Sequence, residues 1–116
     1  MNAMNVGFFK NWTRQARKGL LELAILRDIS HRGMYGYEIE RRFCKSQCLL
    51  LSGGTIYAIL RRFRTGGLVK ATQARSPDGP RRKYYELTMT GQETLVQMNA
   101  YWKAIGGQMA AIGKGR

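Results

Sequence analysis

Residues 52–67 read SGGTIYAILRRFRTGG, and this stretch carries the signals for the start, the buried face and the end of one helix. Ser52 is a typical N-cap, because its hydroxyl can accept a hydrogen bond from a free amide of the first turn. Gly66 and Gly67 end the helix, since glycine adopts left-handed backbone angles at little cost. The helical repeat separates a core face from an outer face. The core face holds Ile56, Ile59, Leu60 and Phe63, and the outer face holds Thr55, Tyr57, Ala58, Arg61 and Arg62.

The residues that follow predict a β-hairpin. Residues 68–74 and 82–88 are rich in Val, Thr and Tyr, and a Ser-Pro-Asp-Gly-Pro turn sequence at residues 76–80 separates them. Tyr85 and Leu87 lie two residues apart and therefore share one face of the second strand. We interpret both as core residues, which leaves the tip of the hairpin open to solvent.

Two further helices are predicted upstream. In residues 13–29, apolar side chains recur near the helical repeat, which indicates a well-buried helix with Trp12 just before it. Residues 35–46 form a shorter helical pattern, with Ile39 and Phe43 on its inner face. Both helices are expected to pack against the helix quoted above.

The final helix is predicted to begin near Gly91, because Thr90 and Glu93 form a capping box. Its apolar residues are spaced 3, 4, 3, 4 and 3 apart, a heptad pattern by which one helix packs against another. The core of a small domain has no room for the whole seam, so the sequence predicts a homodimer. The predicted seam consists of Leu95, Met98, Trp102, Ile105, Met109 and Ile112.

Three helices, a two-stranded hairpin and a final helix, in this order, predict a mainly α fold with a small β-hairpin. This is a winged helix-turn-helix with a C-terminal dimerisation helix. The expected division places the DNA-binding domain, with its N-terminal helix, in residues 1–90 and the dimerisation helix in residues 91–116. In such a fold the third helix enters the major groove, and the hairpin, or wing, lies beside it and reaches the phosphates or the neighbouring minor groove.

The charge of the chain favours a polyanionic partner. The net charge is +13, and residues 61–83 hold eight Lys and Arg against Asp78 alone, so this stretch carries seven of the thirteen charges. Clustering of this kind is typical of a surface that binds nucleic acid or an anionic membrane. Arg81, Arg82 and Lys83, beside the predicted wing tip, would neutralise phosphates and release counterions.

Other classes of function lack support in the sequence. No apolar run reaches the roughly 18 residues of a transmembrane helix, and no signal-peptide core is present, so we expect a cytoplasmic protein without membrane contact. His31 is the only histidine, and Cys44 and Cys48 alone do not make a tetrahedral zinc site. We expect reduced thiols, no metal, no cofactor and no enzymatic activity, because no nucleophile–base pair, carboxylate pair or phosphate loop is recognisable.

Four motifs together resemble a known family. YGYEI at residues 35–39, LSGGTIYAILRRF at 51–63, GLV at 67–69 and RRKYYELTMTG at 81–91 are similar, in this order, to the PadR family of bacterial transcriptional regulators. The resemblance implies a homodimeric, mostly repressing protein that binds an operator in double-stranded DNA and dimerises through its last helix. Together with the fold, it gives a candidate DNA-binding set of Tyr35, Ser52, Gly54, Thr55, Tyr57, Arg61, Arg62, Arg81, Arg82 and Lys83.

Trp102 raises the question of a small-molecule ligand. A tryptophan in a heptad seam is too large for ordinary close packing, and two copies facing each other would open an apolar gap with aromatic walls. The expected ligand is a small planar aromatic molecule held between the subunits by Trp12, Met98 and Trp102. The alternative, in which Trp102 only fills the dimer core, stays open, because methionine side chains adapt to close such gaps.

Two other functions remain open on the sequence alone. One is a small-molecule sensor or protein-interaction module for which DNA contact is secondary. The other is a sequence-neutral basic protein that acts as an architectural DNA-binding protein or binds RNA. Gly53 and Pro80 depart from the family pattern and leave the operator sequence undetermined. A preference for operator DNA over scrambled DNA distinguishes a sequence-specific regulator from both alternatives.

Overall fold

The computed structural model describes residues 3–45, 53–75, 79 and 81–115, and it confirms a mainly helical winged fold. Within these residues four helices and three strands follow one another along the chain. They are α1 (Ala3–His31), β1 (Met34–Tyr35), α2 (Gly36–Cys44), α3 (Gly53–Thr65), β2 (Val69–Arg75), β3 (Arg81–Leu87) and α4 (Met89–Ala111).

The core lies where α1, α2 and α3 meet the sheet and the start of α4. The predicted inner face of α3 is confirmed, because Ile56 and Leu60 are completely buried and Ile59 and Phe63 nearly so. Burying such side chains stabilises the fold by about 1.5–3 kcal/mol each. The most fully buried large side chains are Ile25, Leu26, Ile29, Ile39, Ile56 and Leu60.

The sheet has three antiparallel strands in the order β1-β3-β2, rather than the two predicted from sequence. Tyr85 of β3 lies between Met34 of β1 and Ala71 of β2, and it is buried as expected. The third strand escaped sequence analysis because two residues are too few to show an alternating pattern. Because Tyr35 belongs to this strand, α2 starts at Gly36 and not at Tyr35 as predicted.

The first helix is longer than predicted. It begins at Ala3, so Trp12 lies inside α1 and not just before it. Residues before position 13 lack the apolar repeat of a buried helix, but extending an existing helix needs no new nucleus. Phe8, Phe9 and Trp12 are exposed, at 76%, 64% and 58%.

Thr88, not Thr90, caps the last helix. Its hydroxyl oxygen accepts a hydrogen bond from the Gly91 N–H at 2.9 Å and donates one to the Gly67 carbonyl at 2.6 Å. The predicted capping box is therefore wrong, and α4 begins at Met89. The same hydroxyl ties the start of α4 to the end of α3, an attachment that only tertiary contact reveals.

The glycine end of α3 is confirmed. Gly67 has a φ of +78°, and its N–H bonds the Arg64 carbonyl at 3.1 Å while the Leu68 N–H bonds the Phe63 carbonyl at 2.9 Å. These are the two hydrogen bonds of a Schellman motif, which satisfies carbonyls at a helix end. The wing therefore leaves α3 in a fixed direction.

Only part of the predicted dimer seam stays free within the protomer. Leu95 is buried in the core of its own chain, and Met98 packs half-buried against it, so the start of the seam serves the protomer itself. Trp102, Met109 and Ile112 remain exposed at 43%, 65% and 69%.

The described chain is less compact than a typical domain. Its radius of gyration is 17.0 Å, compared with about 13 Å for a compact domain of 100 residues. The division into 1–90 and 91–116 stays a prediction.

Candidate nucleic-acid interface

The exposed residues of α3 divide between two basic depressions. Tyr57, Arg61 and Arg64 line a cleft toward the wing. Thr55 and Arg62 line a groove toward α1 on the other side. The outer residues of α3 were predicted to share one surface, but each residue is rotated by 100° from the one before it, so the adjacent Arg61 and Arg62 point in different directions.

The cleft between α3 and the wing, which we name the wing cleft, encloses about 300 Å³. Of the predicted DNA-binding residues, it brings together Tyr57, Arg61, Arg82 and Lys83, and it adds Arg64. Among its described lining residues four are cationic and none is acidic. Such a depression concentrates positive potential and suits a phosphate group. Its lining consists of Gly36, Tyr37, Tyr57, Leu60, Arg61, Arg64, Arg82, Lys83 and Tyr85.

Tyr37 organises the wing side of this cleft, and sequence analysis missed it. The Arg82 guanidinium lies over the Tyr37 ring at 4.5 Å from its centroid, and Arg41 lies at 5.1 Å. Cation–π contacts of this length are favourable while leaving N–H groups available to other acceptors. The signal in the sequence was the second tyrosine of YGYEI, which the resemblance did not single out.

Tyr35 attaches the turn end of the wing strands to α2, since Arg75 and Arg81 are the last strand pair before the turn. Its hydroxyl donates to the Arg75 carbonyl at 3.1 Å, and its ring packs edge-on against Tyr84 at 5.0 Å. It also stacks with Tyr37 at 5.7 Å. These contacts give Tyr35 a supporting role. Direct contact with DNA stays a prediction for this residue.

Two phenols at the cleft, those of Tyr57 and Tyr85, have raised pKa values. Burial raises the pKa of Tyr57, and Glu40 raises it further through its charge and a hydrogen bond. Burial also raises the pKa of Tyr85, although Arg64 and Arg61 oppose that change. Tyr57 packs closely on Gly36, where an added Cβ would lie 3.0 Å from the ring. The ring of Tyr57 is therefore held in place on α2.

Arg62 is engaged away from the wing. Its Nη1 lies 2.8 Å from Glu22 Oε2 on α1, an ion pair that holds the side chain in the groove between the two helices. Gly54, Thr55 and Arg81 are exposed. Ser52, with its predicted capping role, lies outside the described residues, as do Cys48 and residues 76–78 and 80 of the wing tip.

The predicted effector residues are only partly brought together. Met98 and Trp102 line a groove of about 430 Å³ between α1 and α4, together with Leu20, Leu23 and other mostly apolar side chains. Trp12 is not part of this lining and stacks instead on Phe9, with ring centroids 6.3 Å apart.

The described residues contain neither a cluster of metal ligands nor a helix that could span a membrane. No three His, Cys, Asp or Glu side chains in the described ranges converge to hold a metal ion. None of the helices in this part of the chain combines the length and apolar character needed to cross a bilayer.

Comparison with known proteins places this geometry in a family. The model of the transcriptional regulator PadR-like family matches residues 25–97. A crystal structure of a PadR-like transcriptional regulator from Bacillus cereus is 34% identical, with a TM-score of 0.77 over 88% of this chain and 99% of that one. A Streptococcus transcriptional regulator is 30% identical, with a TM-score of 0.78 over 84% and 96%. A PadR family regulator from Eggerthella lenta, at 19% identity, shares the fold over 99% of this chain and all of that one, with a TM-score of 0.84.

Proposed function

The chain belongs to the PadR-like family of transcriptional regulators, which are not enzymes, and from this premise we propose that it is a sequence-specific, homodimeric repressor. Regulation of transcription through DNA binding follows from the family itself. The proposal adds a pseudo-palindromic operator, repression, and a cytoplasmic location with the nucleoid when DNA is bound.

The observation that carries the proposal is the wing cleft beside α3. Arg61 and Arg64 from the helix face Arg82 and Lys83 from the wing across one depression. A phosphate in this cleft would receive hydrogen bonds from both elements, which would fix the register of α3 in the major groove. Base edges would then be read from the exposed first turns of α3, where Thr55 and Tyr57 lie.

Replacing Arg82 with alanine tests this arrangement. The probe is the DNA upstream of the chain's own coding sequence, and scrambled DNA serves as its comparison. Each lost phosphate contact lowers the slope of log affinity against log salt by about 0.9, so a dimer with two wings should lose about 2. Both DNAs should be bound more weakly. Lys103→Ala, which removes one exposed cation on α4, is the matched control and should leave the slope nearly unchanged. Equal slopes for Arg82→Ala and wild type would contradict the assignment, and equal wild-type affinity for both DNAs would refute sequence-specific recognition.

We further propose that a planar aromatic effector enters beside Trp102 and lowers operator affinity. Support comes from the groove between α1 and α4, whose lining is mostly apolar and includes Met98, Trp102 and Tyr101. An aromatic wall next to flexible apolar side chains suits a flat hydrophobic ligand.

Intrinsic fluorescence tests the effector proposal, because Trp12 and Trp102 are the only tryptophans. Phenolic compounds or aromatic dyes should quench the wild type at micromolar concentrations. Trp102→Ala should not respond, whereas Trp12→Ala should respond like the wild type because Trp12 lies outside the groove. Equal quenching in both variants would eliminate Trp102 as the binding platform.

A further inference from the structure

The first half of α1 carries a second concentration of positive charge. Lys10, Arg14, Arg17 and Lys18 lie in a stretch without any acid before Glu22. These four charges and the seven of residues 61–83 account for eleven of the net thirteen. The remainder of the chain is therefore almost neutral in net charge. The two basic stretches are the regions that favour binding of an anionic partner.

These four cations share one face of α1. Their spacings of 4, 7 and 8 residues from Lys10 correspond to neighbouring positions on a helix. Three of them are exposed, and Arg17 is half-exposed. At 1.5 Å per residue the stripe is about 12 Å long, and phosphates of one DNA strand follow one another at about 3.4 Å of axial rise, so the stripe is long enough to face several of them. We name this set the α1 stripe.

The α1 stripe adjoins the first turn of α3. Arg14, Arg17 and Lys18 line a groove of about 420 Å³ together with Thr55 and Arg62. The Arg62–Glu22 ion pair marks one end of this groove, and the stripe lies upstream of Glu22 on α1. The basic half of α1 therefore runs toward the end of α3 that enters the major groove, on the side away from the wing.

We propose that the α1 stripe binds the DNA backbone that flanks the site contacted by α3 and the wing. The inference rests on the proposed DNA-binding function. It assigns each protomer phosphate contacts on both sides of α3, with the wing cleft on one side and α1 on the other. DNA is favoured over a membrane because Arg14, Arg17 and Lys18 of the stripe line the same groove as Thr55 of α3, whereas the exposed aromatic residues of α1 are not part of that groove.

The test compares two triple variants that both lower the net charge by three. Lys10→Ala/Arg14→Ala/Lys18→Ala removes exposed stripe cations and keeps Arg17, while Lys45→Ala/Lys103→Ala/Lys114→Ala removes exposed cations elsewhere. The probes are a random-sequence duplex of 40 base pairs, the same duplex shortened to 16, and vesicles of phosphatidylserine and phosphatidylcholine in equal parts. Affinity is measured as a function of salt, and circular dichroism verifies the helix content.

The stripe variant should lose several units of salt slope and at least about tenfold in affinity on the long duplex, with a smaller loss on the short one, since flanking phosphates are then missing. The control variant should stay close to the wild type. A slope equal to that of the control, or a loss confined to vesicle binding, would overturn the inference. These outcomes are distinct from failure of the proposed function, in which the wild type itself would not bind duplex DNA.

Discussion

Replacing Gly91 with alanine is expected to destabilise the protein by about 3 kcal/mol or more. Gly91 is buried in the first turn of α4, and a Cβ at this position would collide with the Leu68 carbonyl oxygen and lie 3.0 Å from the carbonyl carbon. The obstacle is backbone, which does not rotate away as a side chain would, so α4 must separate from the end of α3. Urea unfolding followed by circular dichroism measures the change.

Gly106→Ala is the matched control on the same helix. A Cβ at Gly106 meets nothing within 4 Å, and alanine favours a helix interior over glycine by about 0.5–1 kcal/mol. The same substitution should therefore destabilise at position 91 and stabilise at position 106. Similar stability changes in both variants would contradict the close contact between Gly91 of α4 and the Leu68 carbonyl.

Adding charge to the exposed part of α4 is expected to separate the subunits of the proposed homodimer and to lower DNA affinity at least about 100-fold. Trp102→Glu/Met109→Glu places two carboxylates on apolar side chains that the protomer leaves exposed. A dimer that holds two half-sites at once binds DNA more tightly than one subunit does alone. A monomer lacks this gain in affinity. Sedimentation and titration of the upstream DNA give the two measurements.

The control for this experiment is Met89→Glu/Val96→Glu, which makes the same charge change at exposed positions of α4 outside the seam. It should remain dimeric. A Trp102→Glu/Met109→Glu variant that sediments as a dimer would refute the seam. Deleting residues 95–116 would be a poorer test, because Leu95 belongs to the core and its loss would destabilise the protomer.

The elements that could be predicted from sequence are those whose signals are local. The core face of α3 follows from the helical repeat, and its end follows from Gly67, because both depend on residues within two turns. The wing strands followed equally from their composition and turn sequence, with ends shifted by a single residue in the structure.

The elements that were missed depend on contacts between distant parts of the chain. Thr88 caps α4 partly because the Gly67 and Leu68 carbonyls lie beside it, about 20 residues earlier in the chain. Arg61 and Arg62 have the same predicted role in the sequence, and only the fold shows that Arg62 forms an ion pair with Glu22 of α1. Leu95 fits a heptad seam by spacing, but whether a seam residue faces its own core or a partner is decided by tertiary packing.

The anchoring of Tyr35 to Arg75 has a consequence for the thermodynamics of recognition. Before DNA arrives, a wing held to β1 and α2 by a hydrogen bond and by the Tyr35, Tyr37 and Tyr84 rings is ordered as far as the last strand pair before its turn. Less conformational entropy is then lost on association than for a free hairpin. The chain consequently presents α3 and the wing as one preorganised body, and in the proposed dimer a mismatched spacing between half-sites would be accommodated by bending of the DNA or by movement at the subunit interface.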